Sequence, residues 1–283
     1  MTAELARSGF VTLIGRPNVG KSTLVNAMVG SKISIVSNKP QTTRRQIRGV
    51  LNREDTQLVF IDTPGIHRPK TPLGERLNST AASSIGDVDV VCIVFDVNAG
   101  IGPGDRFIAQ KAPSDAVVIL NKCDSVKPDR VAQQLELASA FGFSEYFPVS
   151  AETGKGLAAL VDHLIGLMPA GPQFYPDDMV SDLPDAMWVA ELVREQLNHR
   201  MRDELPHSIA TRVTEWELPR IRVEILVERD SQKGMVIGKK GAILKAVGTA
   251  VRKQLVDGVF LELVVSVDKN WQSTPEALER LDL

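Results

Sequence analysis

The chain has 283 residues, a formal net charge of −2 at pH 7 and a sequence pI near 6.1. At roughly 100–200 residues per domain this length predicts two domains, and a hydrophobic share of 43% argues against intrinsic disorder. The near-neutral balance excludes a uniformly basic surface, so any nucleic-acid-binding patch must be local. The two cysteines, Cys92 and Cys123, show no metal-ligand spacing and suit a reducing cytosol. Residues 1–9 have no apolar core of the kind a signal peptide needs. The longest apolar run, Val90 to Phe95, is far shorter than the roughly 20 residues that span a bilayer.

Residues 1–168 alternate strand and helix patterns. Phe10–Ile14 is a short apolar run followed by a Gly-rich turn, and Lys21–Val29 reads as a helix stopped by Gly30. Ile47–Asn52 and Gln57–Ile61 read as strands around a polar turn. Val88–Phe95 and Ala116–Leu120 are apolar and β-branched, as fully buried parallel strands are. Helices are predicted at Leu73–Ile85, Asp105–Ala112, Asp129–Gly142 and Leu157–Met168, with a last strand at Glu145–Val149. This βα alternation implies a doubly wound, mostly parallel sheet whose ligands sit at the C-terminal strand ends.

Residues 169–184 hold four prolines and little periodicity, and read as a linker. Beyond them, residues 185–283 change order: a helix over Asp185–Arg202, strands Ser208–Trp216 and Arg220–Glu228, two helical pieces around Gly238–Gly241, and a strand at Val259–Val267. The order αββααβ marks a separate, smaller α+β domain.

Gly15-Arg16-Pro17-Asn18-Val19-Gly20-Lys21-Ser22 fits the phosphate-loop pattern G-x-x-x-x-G-K-[ST], between a predicted strand and a predicted helix that continues through Thr23. Glycines let backbone N–H groups converge on phosphate oxygens, and the helix N-terminus adds its positive end. Lys21 places a charge on the β- and γ-phosphates, and Ser22 supplies a hydroxyl to Mg²⁺. A phosphate loop alone leaves ATP and GTP open. Asn121-Lys122-Cys123-Asp124, at the end of a strand, decides for guanine. A carboxylate at Asp124 accepts from the ring N–H and exocyclic amine of guanine, whereas adenine presents an acceptor there. Lys122 can lie over the base, Asn121 can tie this loop to the phosphate loop, and Ser150-Ala151 places a backbone N–H near the base carbonyl.

Asp62-Thr63-Pro64-Gly65 follows the strand Gln57–Ile61. Asp62 can hold Mg²⁺ through a water and the Gly65 N–H can sense the γ-phosphate. In the polar stretch Lys39–Arg44 one threonine, Thr43 in preference to Thr42, reaches the metal when GTP is bound. Position 66 is Ile66, which cannot hydrogen-bond an attacking water, so another polar group, an ion or a partner must orient it.

In the second domain Val236-Ile237-Gly238-Lys239-Lys240-Gly241 carries a GxxG loop between two helical pieces. In KH domains this loop clamps about four nucleotides. The glycines admit the sugar–phosphate chain, Lys239 and Lys240 meet phosphates, and Val236, Ile237 and Ile243 would floor a groove under the bases. Trp271 is read as a core or docking residue before a base-stacking one.

The set GRPNVGKS, TTR, DTPG, NKCD and SA, with VIGKKG in a type II KH order, resembles the translation-factor-related GTPases and, within them, the Era family along the whole chain. The resemblance implies an α/β P-loop GTPase domain followed by a type II KH domain. It implies GTP hydrolysis with Mg²⁺, and binding to the 3′ end of small-subunit ribosomal RNA during assembly of that subunit. It also implies that Asn18 helps hold K⁺ beside the phosphates. A cytoplasmic monomer is expected, with at most peripheral contact at the inner face of the membrane. The rival expectation is a GTP-regulated switch whose KH-like domain docks on a protein or membrane surface. The connection Glu217-Leu218-Pro219 is short for the family, and the tail after Trp271 is trimmed.

Overall fold

The computed structural model describes residues 6–69, 71–202 and 205–283. The backbone divides into two compact units, one running up to residue 34 and including 43–69 and 76–182, the other gathering 35–42, 71–75 and 183–283.

The first unit is built on strands β1 (Arg7–Ile14), β2 (Ile47–Arg53), β3 (Thr56–Asp62), β4 (Val90–Asp96), β5 (Val117–Asn121) and β6 (Glu145–Pro148). They form one sheet in the order β2-β3-β1-β4-β5-β6, antiparallel only between β2 and β3. Helices α1 (Lys21–Val29), α2 (Pro72–Ser83), α3 (Pro103–Ala109), α4 (Pro128–Ser139) and α5 (Leu157–Leu167) make the connections. Every residue of β3 and β4 is buried, because helices cover both faces of a parallel sheet. α3 and α4 begin on Pro103 and Pro128, slightly earlier than their sequence patterns suggest. Proline suits a first helical turn, where its missing N–H would have no partner.

The parallel register brings the strand ends to one edge: Leu13 pairs with Asp62 and Asp96 with Asn121. The loops that follow carry the phosphate-loop, DTPG and NKCD residues.

Residues 169–182 are a strap on this unit, not the free linker their prolines suggest. Ser8 N–H donates to the Pro169 carbonyl at 3.1 Å, Val50 N–H to that of Val180 at 3.0 Å, and Arg48 pairs with Asp182 at 2.9 Å. The Gln57 amide is fully buried, and the strap satisfies it. Its oxygen accepts from the N–H groups of Phe174 and Tyr175 at 2.8 and 3.0 Å, and its nitrogen donates to the Tyr175 carbonyl at 2.8 Å. A buried amide without such partners would be costly, so Gln57 fixes where the strap lies.

The second unit holds α6 (Asp185–Arg200), β7 (Ala210–Glu217), β8 (Arg220–Val227), α7 (Asp230–Ile237), α8 (Ala242–Arg252), β9 (Phe260–Val267) and α9 (Pro275–Arg280). Only Leu218 and Pro219 join β7 to β8, which pair antiparallel; β8 and β9 are parallel, with α7 and α8 making the crossover. Val189, Leu192, Val193 and Leu197 of α6 enter the core beside Ile221, Val223, Ile225 and Val247. Besides these and Ala190, the helix buries four polar residues: Glu191, Arg194, Glu195 and Asn198. Arg194 pairs with Glu191, and residues 35–42 of the same unit meet this face. Arg194 donates to the Thr42 carbonyl at 2.5 Å, and Glu195 accepts from the Val36 N–H at 3.0 Å. Buried charges persist only when paired in this way. α9 lay outside the sequence-predicted elements. It buries Ala277 and Leu278, so the short tail is part of the packed unit.

Candidate functional site

The phosphate loop, Gly15 to Ser22, turns off the end of β1 into α1. Gly20 sits at φ 97°, and a Cβ there would come within 2.3 Å of the Asn121 side-chain nitrogen, so both conformation and space require glycine. Lys21 is buried, its ammonium donating to the carbonyls of Gly15 and Arg16 at 3.3 and 3.2 Å. Burial lowers its pKa to about 8, against the opposing charge of Asp62. The lysine is therefore about half charged near pH 8 and mostly neutral well above it, unless an anion is bound beside it. Phosphate favours the ammonium, so binding above that pH must take up a proton. GDP affinity is expected to be flat from about pH 7 to 8 and then to fall by up to about tenfold per unit towards pH 9, with proton uptake in calorimetry. A dissociation constant unchanged across that range would contradict this assignment of the lysine.

Three oxygen-bearing side chains meet beside the loop. Ser22 Oγ and Thr43 Oγ1 are 2.8 Å apart, and Thr43 Oγ1 lies 3.4 Å from Asp62 Oδ2. Thr42 turns away, donating instead to the Lys39 carbonyl at 2.7 Å, which favours Thr43 as the metal-reaching threonine. Asp62 is fully buried, and its Oδ1 has no hydrogen-bond partner. Burial raises the Asp62 pKa, while the Ser22 hydroxyl and the Lys21 charge act the other way. Hard oxygen donors around an unmatched buried carboxylate oxygen suit Mg²⁺. Among the described residues no cluster of three or more His, Cys, Asp or Glu is found that could form a metal cage by itself.

Gly65 lies against the phosphate loop, where a Cβ would come within 2.6 Å of the Pro17 nitrogen. Thr63 is wholly buried, its hydroxyl donating to the Leu13 carbonyl at 2.7 Å. It braces β3 against β1. Ile66 donates its N–H to the Gly15 carbonyl at 3.1 Å and packs its side chain against the core containing Ile14 and Phe95. That packing takes Ile66 out of any role in handling water.

Across the edge, Gly20, Thr23, Asn121, Lys122, Asp124, Ser125, Ala151 and Glu152 line a cavity of about 180 Å³. Asn121 binds two other loops, donating to the Val19 carbonyl at 3.0 Å and accepting from the Ala151 N–H at 3.0 Å. The Ala151 N–H, expected to face the base carbonyl, is thus engaged by Asn121. Ser150 contributes its hydroxyl, 2.5 Å from Asp124 Oδ1, and so holds the carboxylate at the cavity.

In the second unit α7 ends at Ile237, and Gly238, Lys240 and Gly241 all take positive φ, of 72°, 52° and 76°. Lys239 and Lys240 are exposed at the tip. Val236 is fully buried in the core and cannot floor a groove; Ile237 and Ile243 are partly buried on that core and remain available. Trp271 is also fully buried, its ring N–H donating to the Ser208 carbonyl at 3.1 Å, which makes it a core residue.

Comparison with known proteins follows this division. Residues 10–122 match the family model described as 50S ribosome-binding GTPase, and residues 204–272 match the KH domain model. The chain is 46% identical to the GTPase Era of a Nocardioides species, covering 97% of this chain and 96% of that protein. It is 47% identical to the GTPase Era of Mycolicibacterium smegmatis, covering 97% and 98%. The chain belongs to the GTPase Era family. A crystal structure of Era with MgGDPNP and nucleotides 1506–1542 of 16S ribosomal RNA superposes with a TM-score of 0.92 at 35% identity, covering 97% of this chain and 98% of that one. A single-substitution variant of Aquifex aeolicus Era bound to GDP and AlF4⁻ gives 0.91 at 35% identity over the same shares. The Era architecture, a P-loop GTPase unit followed by a KH unit, is therefore that of this chain.

Two supports of this Era-type site gave no motif signal. Asp105, fully buried, accepts from Arg16 Nε at 2.7 Å and from the Gly102 N–H at 2.8 Å, fixing the second residue of the phosphate loop to the start of α3. Asn78 of α2 brackets His67, donating to its carbonyl at 2.6 Å and accepting from its N–H at 3.2 Å. The Arg16–Asp105 pair spans 89 positions and the His67–Asn78 pair 11, and neither forms part of a motif that local patterns reveal. No helix among the described residues is long and apolar enough to cross a membrane.

Proposed function

We propose that this Era-family GTPase binds GTP through Gly15–Thr23, Asp62–Gly65, Asn121, Lys122, Asp124 and Ser150, and binds single-stranded RNA through the Ile237–Gly241 loop. The RNA is the 3′ end of small-subunit ribosomal RNA, and the role is assembly of that subunit in the cytoplasm. The observation that carries the reading is the meeting of the buried lysine, the Ser22–Thr43–Asp62 oxygens and the Asp124 carboxylate along one sheet edge. The relative bound to MgGDPNP and a 16S fragment supports the nucleotide and RNA assignments alike.

In hydrolysis a water oxygen forms a bond to the γ-phosphorus, the bond from that phosphorus to the β–γ bridging oxygen breaks, and GDP and phosphate leave. Ser22, Thr43 and Asp62 would hold Mg²⁺, which when bound would neutralise charge developing on the phosphate oxygens. Lys21 adds a second positive charge, and the Gly65 N–H senses the γ-phosphate. Ile66 contributes nothing to orienting water, so another group must do so. Asn18, whose φ of 64° places it in the left-handed turn of the loop, would help hold K⁺, which would supply a further positive charge beside the phosphates. Turnover is expected to be faster in K⁺ than in Na⁺ buffer; equal rates would remove K⁺ from the mechanism. Cross-linking in cells followed by sequencing tests the RNA assignment. Reads concentrated at the 3′ end of small-subunit RNA are expected, and reads absent from that RNA would overturn it.

A further inference from the structure

The Lys122 ammonium makes two close contacts. It donates to Asp96 Oδ2 at 2.6 Å and to the carbonyl of Asn18 in the phosphate loop at 2.7 Å. Asp96 is the last residue of β4, and it divides its carboxylate between two tasks. Oδ1 accepts from the N–H groups of Asn98 and Ala99 at 2.9 and 3.2 Å, closing the turn after the strand. Oδ2 is left for the lysine. The Asp96 side chain is 9% exposed and that of Lys122 is 35% exposed, so the pair is shielded at the carboxylate end. The lysine's backbone is also fixed, at φ 69°, and the Lys122 Cε would lie 3.9 Å from a Cβ on Gly20. Its hydrocarbon stem therefore runs along the phosphate loop and walls the cavity that Asp124 closes.

We propose that Asp96 is a positioning residue of the nucleotide site. It touches no nucleotide itself. By anchoring the ammonium of Lys122 it holds the lysine stem rigid as one wall of the base cavity. Through the same ammonium it fixes the Asn18 carbonyl, and with it the curvature of the phosphate loop. A lysine side chain has four rotatable bonds and carries high conformational entropy when its end is free. Asp96 removes that freedom before the nucleotide arrives, so recognition of the base and grip on the phosphates are prepared by one ion pair. The neighbouring contact of Asn121 with Val19 joins the same two loops by a separate, uncharged link. That link does not touch Lys122, whose ammonium is held by Asp96 and the Asn18 carbonyl.

This inference rests on the reading of Lys122 as a wall of the base cavity, and the test separates the two. Asp96→Asn is the informative variant. Its oxygen can still close the turn at Asn98 and Ala99, while its amide nitrogen presents a donor to the lysine in place of an acceptor. GDP binding to the full chain is measured by calorimetry for wild type, D96N, K122M and D96N/K122M, with stoichiometry fitted freely. A misfolded fraction then lowers the number of sites and not the affinity. D96N and K122M are each expected to weaken GDP binding by about tenfold or more, and D96N in the K122M background to change it by less than about twofold. Faster release of a fluorescent GDP analogue should account for the loss in D96N. Multiplicative effects in the double variant, or wild-type affinity in D96N, would overturn the proposal. Wild-type affinity in K122M would instead overturn the assignment of Lys122.

Discussion

Asp124→Asn should abolish guanine nucleotide binding at ordinary concentrations, with an affinity loss on the order of 10⁴. Asp124 accepts from two donors on one edge of guanine, the ring N–H and the exocyclic amine. An asparagine keeps one acceptor but turns a donor towards the amine, leaving a buried clash of donors. The side chain lines the cavity and is held by the Ser150 hydroxyl at 2.5 Å, so it is not free to swing away. The same geometry predicts a gain. Xanthine keeps the ring N–H but carries a carbonyl oxygen where guanine has its amine, which matches the asparagine amide. D124N should therefore prefer xanthosine diphosphate to GDP in a competition assay. A variant that still binds GDP as well as wild type would show that the carboxylate does not read the base.

The second large effect concerns the other unit. Reversing both charges in K239D/K240D should reduce binding of a single-stranded 16S 3′-end oligonucleotide by at least about a hundredfold at low salt. It should also flatten the plot of log affinity against log salt by about 1.4, from roughly 0.7 per lost single-strand phosphate contact. Both lysines stand exposed on a tip whose three positive-φ residues shape the backbone, and their removal leaves the core around Val236 untouched. GDP affinity should be unchanged, since neither lysine belongs to the nucleotide site. An unchanged salt slope with unchanged RNA affinity would favour the rival reading, in which this unit docks on a protein or membrane.

Local physics made much of this molecule legible. The β-branched runs of β4 and β5 carry the pattern of strands buried on both faces, and they are so buried. The phosphate-loop and NKCD residues lie at the strand ends because a parallel sheet leaves them no other place. What stayed hidden depended on partners distant in sequence. The prolines of 169–184 describe an extended chain equally well whether it swings free or lies on a sheet. Partners more than a hundred positions earlier, Gln57 and Arg48 among them, tell the two apart. Val236 and Ile237 are adjacent and both apolar, so composition could not say which faces the core; the end of α7 turns Val236 inward. The charges of α6 carry no sequence signal of burial, because the residues that cover them, 35–42, lie about 150 positions away. Asp96 and Asp105 belong to no sequence motif, and their contacts with Lys122 and Arg16 emerge only from the fold.

The account depends above all on a carboxylate choosing guanine at a site built for a polyphosphate. Parallel calorimetric titrations of the intact chain with GDP and ADP, both with Mg²⁺, test that choice most directly. GDP should bind at one site, with ADP weaker by about 10⁴ or more. Equal affinity for the two nucleotides, or binding of neither, would contradict it.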